Sequence, residues 1–251
     1  MIQDPLFYAF AVPALVVMGI SKGAFGSGIG SMLTPLLALT IPPLDAAAIV
    51  LPILCAMDVI GIWGYRGKWD GRQLRALVPG ACLGITVAAL AVGHVDDRMV
   101  GLFLGVLAVA FALEWYLRRG NERPATRPHA GRATFWSALS GFTSFVAHAG
   151  GPPLQAYLLP QRLDRTVYTA TAVLFFTIVN VVKLPPYAAL GLFTDVNLWT
   201  TLVLLPAAPL GMGLGIWLHA KIPQAPFYRI CYAIMLLSGA KLVWDNLGAV
   251  A

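Results

Sequence analysis

Glycines crowd into one short part of this 251-residue sequence, where the backbone alone could do chemistry. Five of them fall within twelve residues: Gly19, Gly23, Gly26, Gly28 and Gly30. A helix that restarts after a glycine break presents unpaired N–H groups and the positive end of its dipole, and these attract an anion without any charged side chain. The spacing therefore predicts an anion-binding cup formed by Gly26, Ser27, Gly28, Gly30 and Ser31.

A second break is expected in the carboxyl-terminal half, where Gly150 and Gly151 precede Pro152 and Pro153. By the same reasoning, Gly150, Gly151 and the nearby Gln155 would form an opposing cup. The alternative is that glycines only let helices approach closely. That alternative is favoured for the helical pairs Gly80/Gly84, Gly101/Gly105 and Gly211/Gly215.

Two side chains beside these breaks suit an anion site within a membrane. Lys22 has no charged neighbour in sequence, and a lysine inside a bilayer is costly unless it is paired or hydrated, so we expect it to be the counter-charge. Its alternative is to extend its flexible stem toward an interface. His148 precedes the second break and could donate to an oxyanion or carry a coupling proton, although a structural hydrogen bond is the alternative.

Asp58 is an acidic residue deep inside an apolar stretch, with no basic residue within a helical turn. A carboxylate in that position is expected to carry a coupling proton, or to pair with Lys22 or Lys183 and hold two parts of the chain together. Asn180 and Lys183 are three residues apart on a predicted helix and could face the same cavity. Lys183 is nevertheless expected to extend toward the outer interface.

The composition places these residues in a bilayer. Hydrophobic residues make up 59% of the chain and charged residues 11%, far from the roughly one quarter charged that is typical of soluble proteins. The net charge of +6 then reflects loop orientation rather than an affinity for nucleic acid. The three scattered cysteines, Cys55, Cys82 and Cys231, predict neither a disulfide framework nor a metal site.

Spanning a bilayer takes about 20 apolar residues in a helix, and the sequence offers six regular stretches of that kind. They run over residues 46–65, 76–93, 99–117, 168–192, 198–218 and 227–247. Two further stretches, 6–41 and 135–160, are too long for one span and are interrupted by glycine or proline, leaving flanks too short to cross alone. We expect both to be hairpins that enter the membrane and turn back, with the irregular backbone buried in protein.

The distribution of basic residues supports hairpins. We place the arginine-rich segment 118–132 in the cytoplasm and let the two interrupted stretches, 6–41 and 135–160, each return the chain to the side it came from. Most of the 17 basic residues then fall in cytoplasmic loops. Most of the acidic residues then fall on the far side. If each interrupted stretch crossed the membrane once instead, the excess of basic residues in cytoplasmic loops would largely vanish.

The two halves of the chain resemble each other. Residues 77–84 (LVPGACLG) and 204–211 (LLPAAPLG) are identical at five of eight positions. We expect an all-α polytopic membrane protein with two repeats, each a glycine-rich hairpin plus three transmembrane helices: residues 1–117 and 134–251, joined by a cytoplasmic basic linker, 118–133. Three crossings per half is an odd number, so the repeats would be inverted, an architecture that places transporter sites near the midplane.

Four motifs in this order resemble the TauE/SafE sulfite exporter family, also called the toluene-sulfonate uptake permease family. They are Gly23-Ala-Phe-Gly-Ser-Gly-Ile-Gly30, Leu33-Thr-Pro-Leu-Leu37, Tyr65-Arg-Gly-Lys-Trp-Asp70 and Gly150-Gly-Pro-Pro153. The resemblance covers nearly the whole chain. It implies a secondary carrier of small sulfur-containing anions, such as sulfite or short organosulfonates, working as an exporter in a bacterial inner membrane. Alternating glycines stand where the family commonly has three in a row, and Lys22 stands where small residues are frequent.

The expected protein is thus a non-enzymatic transporter without cofactor or metal, whose partners are a small anion and the lipid bilayer. A homodimer is compatible with the sequence. An anion channel is the first alternative, because it shares every feature except the conformational exchange. An intramembrane hydrolase is the second, since Gly19-Ile-Ser-Lys-Gly23 fits G-x-S-x-G, but neither the strand before a nucleophile elbow nor a third triad member is evident.

Overall fold

The computed structural model describes residues 2–26, 43–91 and 125–247, together with ten residues between 102 and 117. The regular elements in these ranges are helical: α1 (Pro5–Phe25), α2 (Pro43–Gly64), α3 (Gly71–Ala91), α4 (Ala130–Ala147), α5 (Gly151–Leu158), α6 (Arg165–Ala189), α7 (Asp195–Leu204), α8 (Ala207–Lys221) and α9 (Gln224–Leu247). A 3₁₀ turn, Leu159–Gln161, follows α5. The predicted all-α class is confirmed.

Four of these helices are long and apolar enough to cross a bilayer: α1, α2 from Asp45, α3 and α6. A fifth candidate is the pair α7 and α8, which meet at a bend of 44°. Large apolar side chains such as Trp63, Leu90 and Trp199 are more than half exposed on the outside of the molecule, as expected for a surface that faces lipid. The protein is therefore a polytopic membrane protein with four or five candidate spans in the described residues.

Two of the predicted regular spans differ from this arrangement, and a third is described only in part. Residues 198–218 do not form one continuous helix but divide into α7 and α8, which bend by 44° at Pro206, because proline lacks the N–H that a continuous helix needs. Residues 227–247 are helical in α9, which is not among the candidate spans. Of the stretch 99–117, the structure describes ten residues, all of them helical.

The prediction for the first glycine-rich stretch is wrong in one respect. Helix α1 continues through Gly19 and Gly23 and ends only at Gly26, so this flank is 21 residues long and can span a bilayer. The two glycines serve helix packing instead. A Cβ at Gly19 would lie 2.9 Å from the backbone of Gly211 in α8, and one at Gly23 would lie 2.7 Å from the Met212 carbonyl oxygen.

The second interruption lies where the sequence predicts it. Helix α4 ends at Ala147 and α5 begins at Gly151, and the chain reverses between them. The Ser140 hydroxyl donates to the Gly150 carbonyl at 2.7 Å, which places Gly150 beside a residue ten positions earlier. All eight residues of α5 are buried, so the irregular backbone lies in the protein interior, where it is tolerated at membrane depth.

The described helices define two ends of the bundle. At the Asp45 end, Asn197 donates to the Asp45 carboxylate and the Ile2 N–H donates to Thr200. At the Tyr65 end, the Tyr65 hydroxyl donates to the Gly23 carbonyl. Helices α1 and α2 both run from the Asp45 end to the Tyr65 end. The hairpin predicted for residues 6–41 falls partly on residues 27–42, which lie outside the described residues.

Basic residues of the described chain gather at the Tyr65 end, where Asp70 and Asp164 also lie. The basic residues Arg66, Lys68 and Arg72 follow α2 directly at the Tyr65 end, and Arg165 joins them by donating to the His219 carbonyl. The opposite end carries Asp45. The placement of the Tyr65 end in the cytoplasm stays a prediction.

We expect Gly19→Ala to destabilise the protein, because the added methyl would meet backbone atoms of α8 that cannot move aside as a side chain would. Overpacking of this kind costs about 1–3 kcal/mol of unfolding free energy. Gly213→Ala is the matched control, since a Cβ at Gly213 meets nothing within 4 Å. Thermal unfolding of the purified variants measures both effects, and an equal midpoint for the two would refute close packing at Gly19.

Candidate functional site

Helices α1, α2 and α6 bring three predicted site residues together in the interior. The Lys22 ammonium lies 2.6 Å from one carboxylate oxygen of Asp58, and the Asn180 amide donates to the other oxygen at 2.7 Å. All three residues are buried. Of the two partners that the sequence allows for Asp58, the structure selects Lys22, and it excludes extension of Lys22 toward an interface.

A second buried cluster forms around Lys183, one helical turn after Asn180. Its ammonium lies 3.1 Å from both the carbonyl and the hydroxyl oxygen of Ser144 and 2.9 Å from Nδ1 of His148. The side chain is 0% exposed, so the prediction that it reaches an interface is wrong. In the part of the chain that the structure describes, Lys183 has no carboxylate partner.

The contacts of His148 fix its tautomer. The residue ends α4 in the left-handed conformation, with φ of 52°, and its Nε2 lies 3.0 Å from the Ala47 carbonyl oxygen. A carbonyl only accepts hydrogen bonds, so Nε2 must carry the proton. In the neutral ring Nδ1 is then an acceptor, which suits the ammonium of Lys183. A second proton on Nδ1 would abolish that hydrogen bond and place two cations side by side.

The second glycine cup offers fewer donors than its sequence suggests. Helix α5 begins at Gly151, and its second and third residues are Pro152 and Pro153. Proline has no N–H, so only Gly150 and Gly151 can present backbone donors at this end. Gln155 is buried on the same short helix.

The first glycine cup is described only at Gly26. A Cβ on this residue would contact Thr169 and Ala172 near the start of α6. Thr169 precedes Lys183 by fourteen residues, about 21 Å at the helical rise of about 1.5 Å per residue. The structure therefore does not bring Gly26 to the cluster of Lys183 and His148. Ser27, Gly28, Gly30 and Ser31 lie outside the described residues.

Two further residues, which the sequence analysis does not predict, hold the last turn of α1. The Tyr65 hydroxyl donates to the Gly23 carbonyl at 2.5 Å, and Nδ1 of His219 lies 2.7 Å from the Ala24 carbonyl oxygen. Burial raises the pKa of Tyr65, so its phenol stays protonated and donates. This turn carries Lys22. Tyr65 belongs to a motif quoted above, whereas nothing in the sequence points to His219.

The described residues do not form a hydrolase site. Ser21, the serine of the G-x-S-x-G match, lies within the uninterrupted helix α1, whereas a nucleophile elbow needs a sharp turn between a strand and a helix. No three His, Cys, Asp or Glu side chains among the described residues are grouped as metal ligands.

The sequence matches a known protein family. The model of the family described as "Sulfite exporter TauE/SafE" matches residues 11–242, nearly the whole chain. No curated protein and no solved structure matches the chain at a significant level.

We expect Lys22→Gln to lower the unfolding free energy by about 3–5 kcal/mol, because it leaves the Asp58 carboxylate buried without its cation. The double variant Lys22→Gln/Asp58→Asn removes both charges and should recover most of that loss. Lys241→Gln is the control, since the pair of Lys241 and Asp245 is partly exposed and worth at most about 1 kcal/mol. Denaturant or thermal unfolding measures the stability of each variant. If Lys22→Gln is as stable as Lys22→Gln/Asp58→Asn, the proposed role of the ion pair is contradicted.

Proposed function

We propose, from the premise that the chain belongs to the sulfite exporter TauE/SafE family, that it exports a small sulfur-containing anion across a bacterial inner membrane. The members of this family are membrane transporters and not enzymes. The substrate class, sulfite or a short organosulfonate, and transport by alternating access are the parts that this proposal adds.

The observation that carries the proposal is the environment of Lys183. An ammonium held in a dry interior by neutral acceptors alone is costly, because its charge has lost the solvation of water and gained no counter-ion. An oxyanion that docks beside it supplies the missing charge. Lys22 cannot play this part while it is paired with Asp58.

The geometry suits an oxyanion with several oxygens. Lys183 has three N–H donors, and in the structure all three point to neutral acceptors on Ser144 and His148. A sulfite or sulfonate oxygen can replace one of these acceptors and form a charge-assisted hydrogen bond, which is about twice as strong as a neutral one. Gly150 and Gly151 lie two and three residues after His148, and we expect their N–H groups to donate to the remaining oxygens.

Matching contacts in the two halves support an inverted repeat. Tyr65 donates to the Gly23 carbonyl, and Tyr187 donates to the Phe145 carbonyl at 2.6 Å. Both residues of the second contact lie 122 positions after those of the first. The same offset relates Asp58 to Asn180, which hydrogen-bond to each other.

The directions of the helices agree with this relation. Glycines of α3 pack against α4 with the two chains parallel, Gly80 beside Thr134 and Gly84 beside Ala138. Since α3 runs away from the Tyr65 end, so does α4, whereas α1 runs toward it. The first helices of the proposed repeats thus point in opposite directions, the arrangement on which alternating access relies.

We expect Lys183→Gln to reduce sulfite efflux from proteoliposomes at least tenfold, because it removes the buried cation that holds the anion. Glutamine keeps a comparable length and can still donate to Ser144. Lys221→Gln is the control, since Lys221 is exposed at the end of α8. Efflux that remains at the parental rate in a folded Lys183→Gln protein would overturn the proposal. Saturation of the parental rate at rising sulfite concentration separates a carrier from an anion channel.

A further inference from the structure

The net charge of the buried cluster sets the charge of the anion it can take. The described charged groups around the cluster are Lys22 on α1, Asp58 on α2 and Lys183 on α6. His148 is neutral, because its Nε2–H donates to Ala47 and its Nδ1 accepts from Lys183. Lys22 and Asp58 cancel, so the cluster carries one positive charge when Lys183 is protonated.

A charge that remains uncompensated inside a membrane protein is expensive, and this cost acts on the loaded site as well as on the empty one. A monoanion bound at Lys183 brings the total charge to zero. A dianion of similar shape leaves one negative charge in the same dry surroundings. Shape and hydrogen bonding do not separate the two anions, but charge does.

We propose that the site selects monoanionic oxyanions of the R–SO₃⁻ type over dianions of similar size. This inference rests on the proposed function, since it assumes that the anion binds at Lys183. It adds a specificity determinant that the binding residue alone does not provide: Asp58 keeps the total charge at one by neutralising Lys22.

The test compares two ligands that differ mainly in charge, isethionate as the monoanion and sulfoacetate as the dianion, both bound to purified protein near neutral pH. The parental protein should bind isethionate at least about tenfold more tightly. Asp58→Asn frees the charge of Lys22 and raises the total to two, so the preference should shift toward sulfoacetate by about tenfold or more. Lys22→Gln/Asp58→Asn restores a total of one, and the parental preference should return.

The outcomes separate this inference from the proposed function. If isethionate and sulfoacetate bind equally well, or if Asp58→Asn leaves their ratio unchanged, charge selection is wrong while anion transport stands. If neither ligand nor sulfite binds to the folded parental protein, the proposed function itself fails. The double variant guards against misfolding of the single one, because it buries no unpaired charge.

A second inference comes independently from the two tyrosine contacts. Tyr65 holds the last turn of α1 at the Tyr65 end, and Tyr187 holds the last turn of α4 toward the Asp45 end. Each of these helices stops within three residues of the carbonyl that accepts the bond, at Gly26 and His148. Each tyrosine therefore fixes the carboxyl-terminal end of a helix, one on each side of the buried charges.

We infer that Tyr65 and Tyr187 are equivalent positioning residues that keep opposite ends of the transport path closed. In a carrier that opens to one side at a time, each contact must release in a different state. Removing one phenol oxygen then favours opening at its own end only. The loss of one hydrogen bond changes such an equilibrium by about threefold to tenfold.

Side-specific labelling tests this pair. Ala24→Cys and Val146→Cys, which lie 122 positions apart, serve as reporters in a chain whose three native cysteines are replaced by serine. Tyr65→Phe should raise the labelling of Ala24→Cys by a hydrophilic thiol reagent about threefold to tenfold without raising that of Val146→Cys. Tyr187→Phe should do the reverse, and the double variant should bring the ratio back toward that of the parent.

Tyr8→Phe is the matched control, because the Tyr8 hydroxyl donates to the Ile2 carbonyl at 2.8 Å near the amino terminus, away from both interruptions. It should change neither reporter. If both tyrosine variants raise labelling at the same reporter, or if neither differs from Tyr8→Phe, the inference is overturned. Labelling needs no transported substrate, so this result is independent of whether sulfite is the cargo.

Discussion

An ionised side chain in a dry interior must be compensated, and this constraint governs the centre of the molecule. Lys22 meets it with the carboxylate of Asp58, whose second oxygen is occupied by Asn180. Lys183 meets it only in part, through the neutral acceptors of Ser144 and His148. The same physical cost therefore explains both the stability of one cluster and the anion-binding capacity that we propose for the other.

Close helix packing puts these charges where they are. Because Gly19 and Gly23 have no side chains, α1 lies directly against the backbone of α8, and Lys22 on the same helix is directed to α2. Tyr65 and His219 then fix the last turn of α1 through its carbonyl groups. A lysine on a loosely held helix end would lose more conformational entropy on pairing with Asp58 than one that is already positioned.

The sequence predicts the long elements and the chemistry of individual residues better than their pairing. Long apolar stretches give α2, α3 and α6, and the Gly-Gly-Pro-Pro cluster gives the interruption before α5. The length of α1 is mispredicted because Gly19 and Gly23, four residues apart, are a packing pair of the kind recognised elsewhere in the chain. The contact of Lys183 with His148 joins residues 35 positions apart on different helices, and no local pattern encodes it.

The proposed repeat makes the charge of the centre intelligible. Ser144 lies 122 positions after Lys22 and is therefore its equivalent in the second half. The Lys183 ammonium, which comes from α6, contacts Ser144. The second half thus has a lysine ammonium near the position of Lys22, but on a different helix. The carboxylate is not matched in this way, because the residue 122 positions after Asp58 is Asn180. Two cations and one anion remain. An aspartate at position 180 would neutralise the centre while Lys183 is protonated, so the asparagine leaves the positive charge to which we propose that the anion binds.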